Sequence, residues 1–226
     1  TANHCVSTQA VAQTVEIYWL YQSSTCNGTV PSQASVPSSS VCSLLSTSSP
    51  TDYSLMMIEG VVPNGLHWAG WNPNPVSNGT AVAAIHHPSG SFKRISFGNR
   101  IAGGSSSHIR IDWSDGPTEP GSSGSAVFLV STQQVVGQLC CGPSACGNES
   151  YDNYGSFSVL YPGISSFLAE GEDDVYEDND SCASAAVLGG GSYANLVVKD
   201  GDDDWYRITM TAGATLDVNA VFTHAY

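Results

Sequence analysis

Eight short runs of alternating or continuous apolar residues, each bounded by turn residues, limit what this chain can fold into. They are Val15 to Tyr21, Tyr53 to Ile58, Ala81 to His86, Phe92 to Ser96, His108 to Trp113, Ala126 to Val130, Val135 to Cys141 and Gly155 to Leu160. Runs this short, with a period near two, bury one face of a sheet and are too brief for amphipathic helices. The expected fold class is all-β. Gly163 to Glu170 carries Ile164, Phe167 and Leu168 at a spacing that predicts a short closing helix. Ser23 to Pro50 is dominated by Ser, Thr, Pro and Gly, which predicts a long loop.

Charge marks a boundary near residue 170. Glu170, Glu172, Asp173, Asp174, Glu177, Asp178 and Asp180 follow one another with no basic residue between them. The expected organisation is a domain over 1–169, an acidic linker over 170–181 and a small partial β-sandwich over 182–226. In the last unit Tyr193 to Val198, Asp204 to Met210 and Thr215 to Phe222 read as strands.

Composition removes several function classes. Lys and Arg total 6 against 20 Asp and Glu, a net charge of −14, so the basic stripe that phosphate binding requires is missing. Nucleic acid is excluded as a partner, and no apolar run approaches the roughly 20 residues of a membrane span. Seven cysteines in a Ser-, Thr- and Gly-rich chain match no usual zinc spacing and point to an oxidising, extracellular compartment. The odd cysteine count and a first residue other than Met suggest a piece of a longer precursor.

The run Glu119-Pro120-Gly121-Ser122-Ser123-Gly124-Ser125 carries chemistry. A serine between glycines at a strand entrance is presented beside backbone amides, here those of Gly121 and Ser123, that can hold an oxyanion. Serine is a weak nucleophile until a base takes its proton and a carboxylate orients that base. His4 and Asp52 lie upstream, and the order His, Asp, Ser is that of chymotrypsin-like enzymes. His86 and His87 compete for the role of base, but a histidine pair ending a strand before Pro88 reads better as structural.

Several segments then resemble one family. Thr1-Ala2-Asn3-His4-Cys5, Ile17 to Cys26, His67-Trp68-Ala69-Gly70-Trp71, Ile85-His86-His87-Pro88, Thr118 to Ser125, Val136-Gly137-Gln138-Leu139, Gly142 to Cys146 and Asp152-Asn153-Tyr154-Gly155 are similar, in order, to bacterial lysyl endopeptidases. The resemblance covers residues 1 to about 169. It implies a chymotrypsin-like double β-barrel whose first barrel is N-terminally truncated here, a secreted serine endopeptidase cutting after lysine, and a triad of His4, Asp52 and Ser123. It also implies that Asp152 lies at the base of the primary pocket and pairs with a substrate lysine, with Cys140, Cys141 and Gly142 beside it.

Three departures qualify this. The family has a histidine where this chain has Cys140 and a glycine where it has Cys141, and its pocket tryptophan would fall near Arg100 or Ile101, where none stands. Tolerance of arginine as well as lysine is therefore expected. Ser122 occupies the place where a trypsin-type activation switch needs an aspartate, so that switch is not expected. Residues 175–216 resemble the bacterial pre-peptidase C-terminal domain. Its acidic loops, Glu177 to Asp180 and Asp200 to Asp204, could collect calcium, although a solvated acidic surface is the simpler reading. No metal or organic cofactor is expected for catalysis, the partner is a polypeptide substrate, and the chain is expected to be a monomer. The rival readings are a glutamyl endopeptidase and a catalytically silent binding or adhesion module.

Overall fold

The computed structural model describes residues 1–26, 28–168, 175–176, 178–194, 196 and 204–219. By its internal contacts the chain divides into two units, Thr1–Phe167 and Leu168–Tyr226.

The first unit is mostly β. A short helix α1 (Gln9–Ala12) is capped by Thr8, whose hydroxyl accepts from the Val11 amide. Strand β1 (Glu16–Tyr18) pairs antiparallel with β2 (Ser38–Ser40). Next, β3 (Cys42–Ser48) and β4 (Tyr53–Ile58) form an antiparallel hairpin. Val6, Ala12 and Cys42 are buried together, with Ile17, Leu44, Met56 and Ile58 packed against them.

The remaining strands close a barrel: β5 (Ala81–His86), β6 (Arg94–Gly104), β7 (His108–Asp115), β8 (Ala126–Leu129), β9 (Val135–Cys141) and β10 (Tyr151–Ser156), in the order β10-β7-β6-β5-β8-β9. Alternation sets its interior. Val82 and Ala84 from β5, Ile109, Ile111 and Trp113 from β7, Val127 from β8, Val136 and Leu139 from β9, and Tyr154 from β10 form one buried cluster. The chain leaves the barrel through α2 (Phe157–Leu160) and α3 (Ser165–Leu168). In the second unit β11 (Ala186–Leu188) pairs parallel with β12 (Tyr206–Ile208), and the Tyr176 ring packs edge-on against Tyr193 and Tyr206.

The all-β expectation holds, and β4, β5 and β9 have the predicted bounds. Ser23 to Pro50 does not: it contains β2 and β3. Serine and threonine in Cys42–Ser48 read as loop residues, yet pairing with the apolar β4 and burial of Cys42 decide the local structure. Gly155 to Leu160 is also corrected. The strand is Tyr151–Ser156, and Phe157 and Leu160, three apart, bury one face of α2. Of the strands expected after residue 190, the middle one is present as β12, and the other two lie partly outside the described residues. Tyr193, Ala194 and 215–219 are irregular, whereas β11 falls in a stretch with no expected strand. Glu177 and 200–203, on which much of the calcium expectation rests, lie outside the described residues.

Candidate active site

Local pairing brings His4 to Asp52. The hairpin between β3 and β4 turns through Ser49-Pro50-Thr51-Asp52, with proline fixing the turn and the Asp52 amide donating to the Ser49 carbonyl at 3.1 Å. Asp52 takes a left-handed backbone (φ 54°), a conformation aspartate tolerates better than most residues. The first residues of the chain lie antiparallel to it: Ala2 bridges Tyr53, the Asn3 amide donates to the Asp52 carbonyl at 2.9 Å, and Ser54 donates to Thr1 at 2.8 Å. His4 then follows directly.

Asp52 holds that histidine at two points. Its Oδ1 accepts from the His4 backbone amide at 2.9 Å, and its Oδ2 lies 2.7 Å from His4 Nδ1. The Asp52 side chain is 10% exposed and that of His4 47%, so the carboxylate is sheltered while the imidazole reaches solvent. With Nδ1 facing a carboxylate, the proton sits there and Nε2 is the free acceptor. Behind the pair, Gln138 on β9 donates to the Thr51 carbonyl at 2.8 Å.

Ser123 comes from the turn entering β8. Its flanking groups are fixed: the Ser122 amide donates to Glu119 and the Ser125 amide to Ser122, both at 3.0 Å, while Gly124 and Leu139 of β9 are joined at 2.8 Å. Among the described residues, the amides of Gly121 and Ser123 donate to nothing. Gly124 has φ +78°, and a Cβ there would stand 2.4 Å from Thr1 Oγ1 and 2.5 Å from the Ala2 amide nitrogen. The serine turn therefore rests on the segment that carries His4. His4 Nε2 and Ser123 Oγ form no hydrogen bond in this structure.

That contact gives a test. Gly124→Ala should cost about 2 kcal/mol or more, since alanine meets both a left-handed backbone and a backbone clash. A denaturant midpoint shift measures it.

His86 is the residue that motif reading undervalued. It is 2% exposed, and its inward position continues the buried face of β5 after Val82 and Ala84. Its Nδ1 lies 2.8 Å from Ser122 Oγ and its Nε2 2.8 Å from Ser96 Oγ. Both ring nitrogens are satisfied by serine side chains. Ser122, beside the candidate nucleophile, is thereby pinned into the barrel. His87, half-buried, lies 3.1 Å from the Ser91 carbonyl.

Burial lowers the His86 pKa below its ordinary 6.5, with a smaller push from His87, while the carboxylates of Asp152 and Glu119 oppose it. A lowered folded value means that the unfolded chain takes the proton first. Stability from neutral His86 is thus full above about pH 6.5 and is lost as pH falls below that toward the folded value. His108, also lowered by burial, acts in the same direction. Denaturant midpoints should fall with acidification in that window, and His86→Gln should flatten part of the slope.

Asp152 is 1% exposed on β10. Its Oδ2 accepts from Trp113 Nε1 at 2.7 Å and Thr118 Oγ1 at 2.6 Å, and its Oδ1 lies 3.4 Å from the Ser144 amide. Gly142 lies over it so closely that a Cβ would come within 2.0 Å of Oδ1. No described Lys, Arg or His comes within ion-pair distance of Asp152, so it has donors but no cation. Trp113 was not foreseen in this role. The inward alternation of Ile109, Ile111 and Trp113 was the available signal, because Asp152 pairs with Ile111 across the β10–β7 ladder.

Cys140 and Cys141 end β9 with their sulfurs 2.8 Å apart. Burial, reinforced by Cys141 and Asp52, pushes the Cys140 thiol far above its ordinary range, so it stays a neutral thiol beside the Asp52 carboxylate. It can pack there without adding charge. The described residues hold no cluster of side chains suited to a metal ion, and no described helix is long and apolar enough to cross a membrane.

Residues 1–158 match the family described as lysyl endopeptidase, C-terminal domain. A lysyl endopeptidase of Pseudomonas aeruginosa is 33% identical over 186 residues, covering 75% of this chain and 39% of that relative. The chain thus spans well under half the length of the curated relative it matches. Among solved structures, the scabies mite inactivated protease paralogue S-I1 is similar with a TM-score of 0.55 and 16% identity, over 74% of this chain and 82% of that one. That likeness is one of fold.

Proposed function

The chain belongs to the lysyl endopeptidase C-terminal domain family, and from that premise we propose that it carries the catalytic residues of a secreted serine endopeptidase that cleaves after basic residues, lysine favoured. The observation that carries the proposal is the His4–Asp52 pair, held at two points, with the Ser123 turn packed on the same segment.

Ser123 Oγ attacks the carbonyl carbon while His4 Nε2 takes its proton, and the resulting imidazolium is stabilised by Asp52 through Nδ1–H. The free amides of Gly121 and Ser123 receive the oxyanion, each worth about 3 to 4 kcal/mol in comparable sites. His4 then protonates the leaving amine, and water, deprotonated by His4, releases the acyl group. Binding runs along β9: Cys140, Cys141 and Gly142 offer an edge between the nucleophile and Asp152, and the Gly142 amide donates to nothing among the described residues. The buried carboxylate of Asp152 favours a substrate ammonium over an acidic side chain, since a second buried anion would be repelled.

The second unit is proposed as a partial pre-peptidase C-terminal-type sandwich, on its residue pattern, and the protein as a monomer. A glutamyl endopeptidase is disfavoured by Asp152, and a silent binding module by the preserved pairing of His4 with Asp52. Lysyl, arginyl and glutamyl peptides offered to the protein at its full natural length test the reading. Lysyl peptides should turn over fastest, arginyl peptides next and glutamyl peptides at background. A glutamyl preference, or no turnover of any, would overturn it.

A further inference from the structure

A cavity of about 210 Å³ opens beside the end of β9, lined by Gly104, Ser105, His108, Arg110, Cys141 and Asn153. The cross-strand register makes it a shared feature of three strands, because Asn153 pairs with Arg110 on one side and Cys141 on the other. Asn153 directly follows Asp152, and Cys141 directly follows the cysteine beside Asp52. The cavity therefore adjoins the edge along which the proposed substrate strand runs, on the opposite face of β10 from the buried Asp152 side chain.

Its polar groups are held but not used. The Arg110 guanidinium lies over the Tyr151 ring, 3.9 Å from its centroid, and its Nε donates to Asn153 Oδ1 at 3.3 Å. Gly103 closes the other side, since a Cβ there would stand 2.9 Å from an Arg110 terminal nitrogen. The fork is thus clamped by its stem while its terminal nitrogens bond to nothing among the described residues. No carboxylate among them comes within ion-pair distance, in a chain of net charge −14 with only 6 Lys and Arg. His108 adds a second group: its Nδ1 lies 2.9 Å from Ser107 Oγ and 3.1 Å from Ser105 Oγ, while its Nε2 is buried without a partner.

The geometry points to a second recognition site, in which Arg110, in a cavity that His108 also lines, receives the side-chain carboxylate of a glutamate or aspartate lying two to four residues before the cleaved bond. A planar guanidinium with free terminal nitrogens matches a carboxylate. Substrates would then be read at two points, a basic residue by Asp152 and an acidic one upstream of it. This rests on the peptide-binding part of the proposed function and not on turnover.

The test uses the full-length Ser123→Ala protein, so that binding is read without cleavage. Lysine-containing peptides bearing Glu, Gln or Ala at the second, third or fourth residue before the bond are titrated by calorimetry. At one of these positions Glu should bind about tenfold tighter than Gln, the scale of one charge-assisted contact. The preference should shrink in molar salt, fall to near unity in Ser123→Ala/Arg110→Gln and partly survive in Ser123→Ala/Arg110→Lys. A Glu-to-Gln ratio near one at all three positions, a preference that survives Arg110→Gln, or no binding of any peptide would overturn the inference. Turnover of lysyl peptides by the unsubstituted protein reports separately: an inactive protein that keeps the Glu preference loses the hydrolase reading and retains this site.

Discussion

Asp52→Asn is expected to lower kcat on lysyl peptides by about ten-thousand-fold while leaving KM within a few-fold. An asparagine oxygen can still accept from the His4 amide, as Asp52 Oδ1 does at 2.9 Å, so the loop should keep its course. The change falls on the other oxygen. Oδ2 lies 2.7 Å from His4 Nδ1, and an NH2 group in its place donates to that nitrogen, which moves the imidazole proton to Nε2. Nε2 is the atom that must accept from Ser123, so the base is blocked without being displaced. Steady-state kinetics with a circular dichroism spectrum of the variant check this, and a loss below tenfold in a folded variant would mean that the pair does not serve catalysis.

Asp152→Asn is expected to reduce kcat/KM for lysyl peptides by about a thousand-fold or more and to abolish discrimination between lysyl and neutral peptides. Sites built around a specific polar partner reject ligands that lack the match by such factors. The buried Asp152 accepts from Trp113, Thr118 and Ser144 and faces no cation. In the variant, the amide NH2 meets at least one of these donors head-on, so a stability loss of about 1 kcal/mol accompanies the change. The two readouts separate roles: a purely structural aspartate would lose stability and leave the ratio of lysyl to neutral turnover intact.

What the sequence made legible follows from where pattern and burial agree. In β5 and β9 the apolar residues themselves face the core, so Ala81–His86 and Val135–Cys141 could be read directly. β10 could not. Tyr151-Asp152-Asn153 looks like a polar loop because its inward residue is the buried carboxylate, which only the donors from Trp113 and Thr118 make tolerable. β3 was hidden for a related reason, since its serines and threonines gain a partner only once β4 is folded against them.

The candidate site shows the same division. Ser123 stood out through its glycines, and His4 and Asp52 through their order along the chain. The structure adds why His4 lies on Asp52 and why the serine turn lies against the first residues of the chain: Ala2 bridges Tyr53, and Gly124 has no side chain to separate that turn from Thr1. The partners of His86 could not be read, because a histidine ending a strand carries no local mark of them. Ser96 and Ser122 lie 10 and 36 residues away in sequence.

The proposed hydrolase activity requires that Ser123 be an activated nucleophile. A fluorophosphonate probe applied to the folded protein at its full natural length, followed by peptide mapping, addresses this directly. A single covalent adduct is expected on Ser123, absent in Ser123→Ala and strongly slowed in His4→Ala. A folded protein that fails to label, or one that labels elsewhere and equally well in Ser123→Ala, would contradict it.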